Sequence, residues 1–429
     1  MIEKNDFVLF GHIVYTPTKE DFCICENGFL VCEDKKVTGV FQTLPERFKG
    51  LPLCDCGNRL VFPGLCDTHV HAPQYAFRGL GMDLELIEWL NHHAFVEELK
   101  YGDEVYAALA YSQFADALKK SATTRASIFG TIHSRTVHTL MQKLEDTGLC
   151  TYVGKVNMDR NAPDGLLDPD VPTTLHETEK WIERSLGGYK RTRPMLTPRF
   201  IPSCSEALLE GLGEIQKKYQ LPVQSHLSEN RGEIAWVKEL CPKATCYADA
   251  YANHGLLGNG VNTVMAHCVL PTEIEMQVLK ERDALVAHCP ASNANLCSGI
   301  APIRRYLNEG IRVGLGTDIA GGFELSVFRA MTDAVQFSKL RACMNGMTER
   351  PITLSEAFYM GTKGGGTLFG KVGSFEPGYA FDALVLNDQQ ILAPRTLSVH
   401  ERVERAIYME KDLLLEQKYV DGQKILEMR

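Results

Sequence analysis

The sequence predicts an α/β protein: a (β/α)8 TIM-type barrel with a small β-sandwich formed by the N- and C-terminal segments. Three observations support this prediction. Short apolar runs alternate with amphipathic stretches through the middle of the chain, there are eight such runs, and both ends are rich in β-branched and aromatic residues. Alternating strands and helices favour a parallel sheet, and eight repeats are the number that closes such a sheet into a barrel.

The two ends of the chain are expected to form the smaller domain together. Residues 1–60 contain short strand patterns broken by Gly, Asn and Pro, and three further strand patterns follow Gly366, at 374–387, 404–415 and 417–425. We therefore predict a β-sandwich domain from residues 1–60 and 367–429. Residues 61–366 are then the barrel.

Each of the eight apolar runs ends in polar or charged residues. This is typical of barrel strands, whose C-terminal ends meet at the active-site face. The runs cover 60–71, 122–133, 151–159, 193–201, 221–229, 261–268, 284–290 and 311–320. Between them, stretches such as 205–219 and 271–282 repeat apolar residues at spacings of three and four, which predicts helices.

The connection after the first run is unusually long. It spans residues 72–121 and carries two helical patterns, near 84–99 and 103–120. The loops that follow barrel strands lie on the catalytic face. We therefore expect this connection to form a lid.

Composition excludes several classes of protein. The chain has 45 Lys and Arg residues against 54 Asp and Glu residues, a net charge of -9, whereas nucleic-acid and membrane-surface binders usually carry a basic surface. No apolar run approaches the roughly 18 residues of a membrane span. The N-terminus, MIEKNDFVLF, lacks the basic start and long apolar region of a signal peptide.

The cysteines indicate a reducing environment. There are 14, some of them inside apolar runs, as at Cys66, Cys268 and Cys289, and none is arranged as C-x-x-C. Buried free thiols that behave as small hydrophobic groups are the expected state, and a zinc ribbon or thioredoxin-like site is excluded. A cytoplasmic location fits these features.

Metal-ligand residue types stand where the strands are expected to end. His69 and His71 close the first run, and residues two apart on a strand point to the same side. His226, His267 and Asp318 end the fifth, sixth and eighth runs. Because a barrel brings these ends together, the five residues predict a metal site, whereas an isolated H-x-H pair would equally be two unrelated surface histidines.

Glu229 lies three residues after His226. That spacing sets a carboxylate beside the metal without making it a ligand, and a carboxylate in this place can carry a proton from water to a substrate nitrogen. The alternative is a charge at a helix N-terminus, because Ser228-Glu229-Asn230 also has the composition of a helix start.

These residues carry a family resemblance. The set Pro63-Gly-Leu-Cys-Asp-Thr-His69-Val-His71, His226-x-x-Glu229, His267 and Gly316-Thr-Asp318 resembles the amidohydrolase superfamily. Within it, the chain is similar to the guanine deaminase family along nearly its whole length. The H-x-H and Gly-Thr-Asp pieces are general to the superfamily, whereas the pieces specific to the guanine deaminases are Gln74, Leu86-Ile-Glu-Trp89 and Thr197-Pro-Arg199-Phe200.

The resemblance implies one divalent metal ion bound by His69, His71, His226 and Asp318; Zn2+ is expected, and the sequence leaves Fe and Mn open. It also implies that His267 polarises the attacking water, although the sequence leaves open a role as a fifth ligand. Binuclear members of the superfamily use a carboxylated lysine on the fourth strand. Here that strand, Pro194-Met-Leu-Thr-Pro-Arg-Phe200, has no lysine, and Lys155 on the third is interpreted as structural.

The implied reaction is the hydrolysis of guanine to xanthine and ammonia by metal-activated water. Glu229, His267 and Asp318 would be catalytic. The purine would be bound by six residues: Gln74, Arg199, Phe200, His226, Glu229 and His267. A guanidinium such as that of Arg199 suits the acceptor O6, and the Gln74 amide offers both a donor and an acceptor. A homodimer is expected, with no nucleic-acid or membrane partner.

Three other functions stay open at this point. The same chemistry could act on another aminated heterocycle, such as a triazine, an adenosine derivative or a pterin. The barrel could instead be a partner-binding scaffold without catalysis, but all six metal and catalytic residues are present. Hydrolysis of a cyclic amide is disfavoured by the missing lysine on the fourth strand.

Overall fold

The computed structural model of the chain describes residues 6–258 and 260–428. Eight parallel strands form the central sheet, in the cyclic order in which they occur along the chain. They are Leu65–His71, Thr123–Phe129, Cys150–Gly154, Thr192–Pro194, Val223–Leu227, Thr263–His267, Leu285–His288 and Arg312–Leu315. A parallel bridge from Leu196 to Val223 joins the fourth strand segment to the fifth. The predicted (β/α)8 barrel is confirmed.

Helices follow the strands, as the apolar spacing predicts. Those of the barrel region are Leu86–Trp89, Phe95–Leu99, Glu104–Lys120, Ser134–Thr147, Val171–Gly188, Glu206–Tyr219, Arg231–Leu240, Tyr247–Ala252, Glu273–Glu281, Pro290–Asn295, Ile303–Glu309, Val327–Met344 and Leu354–Tyr359. Glu206–Tyr219 is representative: Ser205 caps its N-terminus through the amide of Leu208, and its buried face includes Leu208 and Leu212. An apolar face of this kind packs each helix against the sheet.

The third and fourth strands continue after short breaks. Val156–Asn157 pairs in parallel with Thr197–Pro198. Arg199 and Phe200 directly follow the second of these paired segments. Both residues therefore lie at the C-terminal mouth of the barrel.

The two ends of the chain form a second sheet of seven strands. These are Phe7–Tyr15, Cys23–Glu33, Lys36–Phe41, Leu53–Pro63, Ala383–Asn387, Leu414–Val420 and Gln423–Glu427. Leu53–Pro63 pairs antiparallel with Ala383–Asn387, so segments from opposite ends of the chain meet in one small β domain, as expected. The strand Leu53–Pro63 runs past the predicted limit at residue 60, and the domain limits stay a prediction.

One predicted strand is a helix in the structure. Residues 404–415 were expected to be extended, but Val399–Tyr408 is helical and the strand begins only at Leu414. The buried residues of this helix, Val399, Val403, Ala406 and Ile407, recur at helical spacing. Ser398 and Glu401 form a capping box at its start, and this local signal outweighs the β-branched composition.

The long first connection lies over the barrel mouth, as predicted for a lid. It begins with a 3-10 turn, Ala72–Phe77, and then runs through Leu86–Trp89, a π-helical turn at Leu90–Ala94 and Phe95–Leu99. Isolated π turns inside helices are frequent at functional sites. Here the turn shifts the helix so that Trp89 and Leu90 face the pocket described below while Phe95 and Glu98 remain buried.

Two expectations from composition concern the whole chain. All fourteen cysteines are free thiols, and Cys66, Cys268 and Cys289 are buried. Within residues 6–258 and 260–428, no helix combines the length and the apolar character that a bilayer crossing requires.

Candidate active site

A pocket opens at the C-terminal ends of the barrel strands, between the barrel mouth and the lid. Strand ends supply one side of it and the lid supplies the other. Its lining residues are His71, Gln74, Leu86, Trp89, Leu90, Arg199, Phe200, His226, Glu229, Glu233, His267, Leu296 and Asp318. This is the face on which barrel enzymes place their catalytic groups.

Three imidazoles and one carboxylate converge at the base of the pocket. The Nε2 atom of His71 lies 3.2 Å from the Nε2 atoms of both His69 and His226. Asp318 Oδ1 lies 3.1 Å from His69 Nε2 and 3.5 Å from His71 Nε2. The four residues come from the ends of the first, fifth and eighth strands, which are distant in the sequence, and the barrel brings them together.

The Nε2 atom of His226 presents a lone pair to the cluster. His226 Nδ1 lies 2.6 Å from the carbonyl oxygen of Arg199, which can only accept, so Nδ1 carries the hydrogen and Nε2 is a free base. Burial, followed by the neighbouring His69 and His267, holds the pKa of His226 well below its usual value. Burial, followed by His69, does the same for the pKa of His71. Neutral imidazoles are the form that binds metal ions.

This donor set fits a divalent cation. Ligands at the corners of a tetrahedron around zinc, with bonds of about 2.0–2.1 Å, lie roughly 3.3 Å apart. The four measured separations, from 3.1 to 3.5 Å, match that spacing. The free lone pair of His226 Nε2 points into this cluster, where a cation would be bound. The cluster of His69, His71, His226 and Asp318 therefore has the chemistry and the dimensions of a metal centre.

Asp318 is held in place from the first strand. The Asp67 carboxylate accepts from the amide of Thr317 at 3.0 Å and from its hydroxyl at 2.5 Å. Gly316 allows the close approach of the two strands, because a Cβ atom there would lie 2.9 Å from the Cβ of His69. Asp318 has a positive φ of 45°, which turns the chain sharply at the strand end.

Glu229 and His267 lie beside the metal cluster. His267 Nε2 is 3.4 Å from Glu229 Oε2 and 3.7 Å from Asp318 Oδ2, so this imidazole bridges the two carboxylates. Its Nδ1 faces Asn293 Oδ1 at 2.9 Å, and the Ser298 hydroxyl donates to Glu229 Oε1 at 3.3 Å. Burial, together with the nearby carboxylates of Glu233 and Asp318, raises the pKa of Glu229 well above its usual value.

A second buried carboxylate holds the backbone of Glu229. Glu233 Oε2 accepts from the amide of Glu229 at 2.9 Å and from that of Asn230 at 3.3 Å. Its other oxygen accepts from the Tyr247 hydroxyl at 2.7 Å. Asn230 and Glu233 form the capping box of the helix Arg231–Leu240, so the helix start predicted here exists and also anchors Glu229.

The opposite side of the pocket is built from Gln74, Arg199 and Glu98. The Arg199 guanidinium pairs with the Glu98 carboxylate through Nη1 and Nη2, and Gln74 Nε2 donates to the same carboxylate at 3.0 Å. All three side chains are buried. The ring of Phe200 lines the pocket next to them.

Trp89 adds an unused donor to this side. Its indole Nε1 is buried and has no hydrogen-bond partner among the residues that the structure describes. Trp89 lines the pocket from the lid. A buried N–H without a partner is unfavourable in the protein alone, and a ligand with an acceptor would satisfy it.

The structure brings together every site residue predicted from the sequence. Sequence reasoning missed five residues that surround them: Asp67, Glu98, Phe129, Glu233 and Asn293. Glu233 had a detectable signal, because it stands three residues after the helix-capping Asn230. Phe129 packs against the rings of His69, His71 and His226, at 4.5–5.0 Å between centroids. Lys155 is paired with Asp168 at 2.9 Å, which agrees with its structural interpretation.

Known proteins share this architecture. Residues 60–422 match the model of the Amidohydrolase family. The chain is 38% identical to the guanine deaminase of Mus musculus over 381 residues, covering 86% of this chain and 83% of the mouse protein. It is 34% identical to the guanine deaminase of Escherichia coli (strain K12) over 420 residues, covering 94% and 92%.

Solved structures agree with these sequence matches. The crystal structure of guanine deaminase from C. acetobutylicum with guanine bound in the active site superposes with a TM-score of 0.95 at 43% identity, covering 98% of this chain and 100% of the other. The E. coli guanine deaminase structure gives 0.87 at 30% identity, covering 99% and 100%. The chain belongs to the amidohydrolase family and, within it, to the guanine deaminases.

Proposed function

We propose that this pocket hydrolyses guanine to xanthine and ammonia. The main support for the proposal is that one pocket contains two groups of side chains. One is the cluster of metal-ligand residues with Glu229 and His267 beside it, and the other is the pair of donor side chains, Gln74 and Arg199, on the facing wall. The relative from C. acetobutylicum, 43% identical over almost the whole chain, binds guanine in its active site.

A divalent cation would be held by His69, His71, His226 and Asp318, and we propose that it is Zn2+. Three imidazole nitrogens with one carboxylate oxygen are a ligand set that zinc prefers. When bound, the ion supplies Lewis acidity, which makes water nucleophilic at neutral pH. The absence of a lysine on the fourth strand, and the engagement of Lys155 with Asp168, support a single ion.

Two side chains, Asp318 and Glu229, move the protons, and His267 assists them. Asp318 accepts a proton from the water that attacks C2 of guanine, and Glu229 gives one to N3, so the tetrahedral intermediate is neutral. His267, between the two carboxylates, orients the water through Nε2. Asp318 then protonates the amino group, which leaves as ammonia, and Glu229 recovers a proton from the new hydroxyl as the C2 carbonyl forms. Water is consumed and both carboxylates return to their starting states.

Gln74, Arg199 and Phe200 hold the purine. Arg199 keeps three of its five N–H donors after pairing with Glu98, and these suit the O6 acceptor of guanine. Phe200 packs against the ring, and its own contact with Trp236, 6.4 Å between centroids, steadies it. His226, Glu229 and His267 close the side of the pocket toward C2.

A direct assay tests the function. Purified protein of measured metal content is incubated with guanine, and xanthine and ammonia are both quantified. We expect equimolar products. The proposal fails if metal-loaded protein does not turn over guanine, and turnover of a triazine, an adenosine derivative or a pterin instead would establish the alternative substrate class. The homodimer and the cytoplasmic location stay predictions.

A further inference from the structure

Glu98 is a buried carboxylate that the reaction does not use. It lies in the short lid helix Phe95–Leu99, and 1% of its surface is exposed. No pattern in the sequence distinguishes it from Glu97 beside it. In the structure, however, it contacts both of the side chains that face the purine.

The contacts of Glu98 use both of its oxygens. Oε1 accepts from Gln74 Nε2 and from Arg199 Nη2, each at 3.0 Å, and Oε2 accepts from Arg199 Nη1. A two-point pairing of this kind fixes the plane of a guanidinium as well as its position. It also compensates the buried charge of Arg199, which would otherwise be costly beside a cation site.

The same contacts settle the orientation of the Gln74 amide. Glu98 can only accept, so the amide nitrogen must point toward it. At the other end, the backbone N–H of Ala320 donates to Gln74 Oε1 at 3.0 Å. The amide is thus held at both ends, with one lone pair of its oxygen engaged by the loop after Asp318, and its second N–H is left for a ligand.

We propose that Glu98 is the positioning residue that turns the N–H donors of Gln74 and Arg199 toward the base, and thereby selects a purine with an oxygen acceptor at C6. It turns Gln74 and Arg199 so that both present N–H groups to the base. Adenine has an amino donor at C6, which would face these N–H donors instead of an acceptor. The inference deepens the proposed function and rests on it.

Glu98→Gln tests the proposal. A glutamine amide at this position has only one oxygen that can accept, and its NH2 group must face either Gln74 or Arg199. The variant therefore keeps the size of the Glu98 side chain but no longer holds both N–H donors in place. We expect kcat/KM for guanine to fall about 10- to 100-fold, the scale of lost hydrogen bonds to a charged partner. For 2-aminopurine, which lacks the oxygen at C6, we expect a change of less than about threefold, because those donors have no acceptor to lose. If the wild type does not turn over 2-aminopurine, its inhibition constant against guanine replaces kcat/KM.

Glu97→Gln is the matched control. It makes the same chemical change one residue away, where the carboxylate binds Lys100 and Tyr106 outside the pocket. We expect little change with either purine. If Glu98→Gln does not fold, Glu98→Asp keeps the charge on a shorter side chain, and we expect the same selective loss for guanine.

The outcomes separate the two proposals. If the wild-type protein does not turn over guanine, both the proposed function and the proposed role of Glu98 are wrong. If the wild type is active and the Glu98 variant loses guanine and 2-aminopurine by the same factor, Glu98 is merely structural and only the inference is overturned. An unchanged kcat/KM for guanine in that variant overturns it as well.

Discussion

The two sides of the pocket are built in different ways. On the catalytic side, His69, His71 and His226 lie in barrel strands, and Asp318 follows the eighth strand, where its amide donates to the carbonyl oxygen of His69 at 2.9 Å. On the recognition side, Gln74 and Arg199 come from loops and depend on Glu98, which belongs to the lid. Under the proposed function, the barrel therefore supplies the chemistry directly, whereas selectivity for the base depends on a contact between lid and barrel.

Because of this difference, substitutions on the two sides of the pocket should have different effects on the kinetics. Damage to the catalytic side should lower turnover of every substrate. Damage to the recognition side should change which purine is accepted and how tightly it binds. The variants below are ordered from the largest expected effect to the smallest.

Removal of the metal should have the largest effect. We expect dialysis against a chelator to abolish guanine turnover and added Zn2+ to restore it, because no other group in the pocket has the same Lewis acidity. The apparent Tm should also fall, since the four ligand side chains then face each other without a cation. Xanthine formation and a thermal melt, before and after restoration, measure both effects. Full activity in metal-free protein would contradict the account.

Glu229→Gln should come next. The amide cannot carry a proton, so we expect kcat to fall by about 10²–10⁴-fold, the usual contribution of a general acid–base group, with the metal content unchanged. Steady-state kinetics and metal analysis of the same preparation provide the test. Glu239→Gln, on the exposed surface of the following helix, is the control. A near-normal rate in the Glu229 variant would show that another group moves the proton.

Tyr247→Phe tests whether the hydrogen bonds that hold the backbone of Glu229 matter for turnover. The Tyr247 hydroxyl donates to Glu233, which in turn holds the amide of Glu229. We expect kcat to fall by roughly three- to tenfold with KM nearly constant, and stability to fall by about 1 kcal/mol, the worth of one buried hydrogen bond. Tyr219→Phe removes a similar hydroxyl contact, to Glu183 on the surface, and should change neither. A rise in KM alone would place Tyr247 on the recognition side.

Trp89→Phe should have the smallest effect. The ring is kept, but the indole N–H, which has no partner among the described residues, is lost. If this donor serves the purine, KM for guanine should rise by about two- to tenfold, as for one neutral hydrogen bond, with kcat little changed. Kinetics with guanine measure both constants. An unchanged KM would mean that the indole contributes shape only.

Much of the catalytic side was predictable from the sequence. Strand ends are marked by apolar runs that stop at polar residues, and the barrel brings those ends together whatever the intervening helices contain. His69, His71, His226, His267 and Asp318 could therefore be assigned to one site before any contact was known. The helix Val399–Tyr408 shows the limit of composition, because its β-branched residues sit at helical spacing behind a capping box.

The recognition side was predictable only in part. The pairing of Glu98 with Arg199 spans 101 residues, and that of Gln74 with Ala320 spans 246. Neither Glu98 nor Ala320 stands in a sequence pattern that indicates its contact, because such long-range contacts depend on how the lid docks on the barrel. For the same reason the sequence indicated both a donor and an acceptor on Gln74, whereas its oxygen is held by the backbone.

The most direct test of the whole account is a metal titration read out by activity. Metal-free protein is loaded stepwise with Zn2+ while bound metal and xanthine formation from guanine are measured in the same samples. We predict that activity rises in proportion to bound metal and reaches its limit at one ion per chain, and that His226→Ala binds the ion far more weakly. Activity that is independent of bound metal, or that requires two ions per chain, would contradict a single metal centre at the barrel mouth.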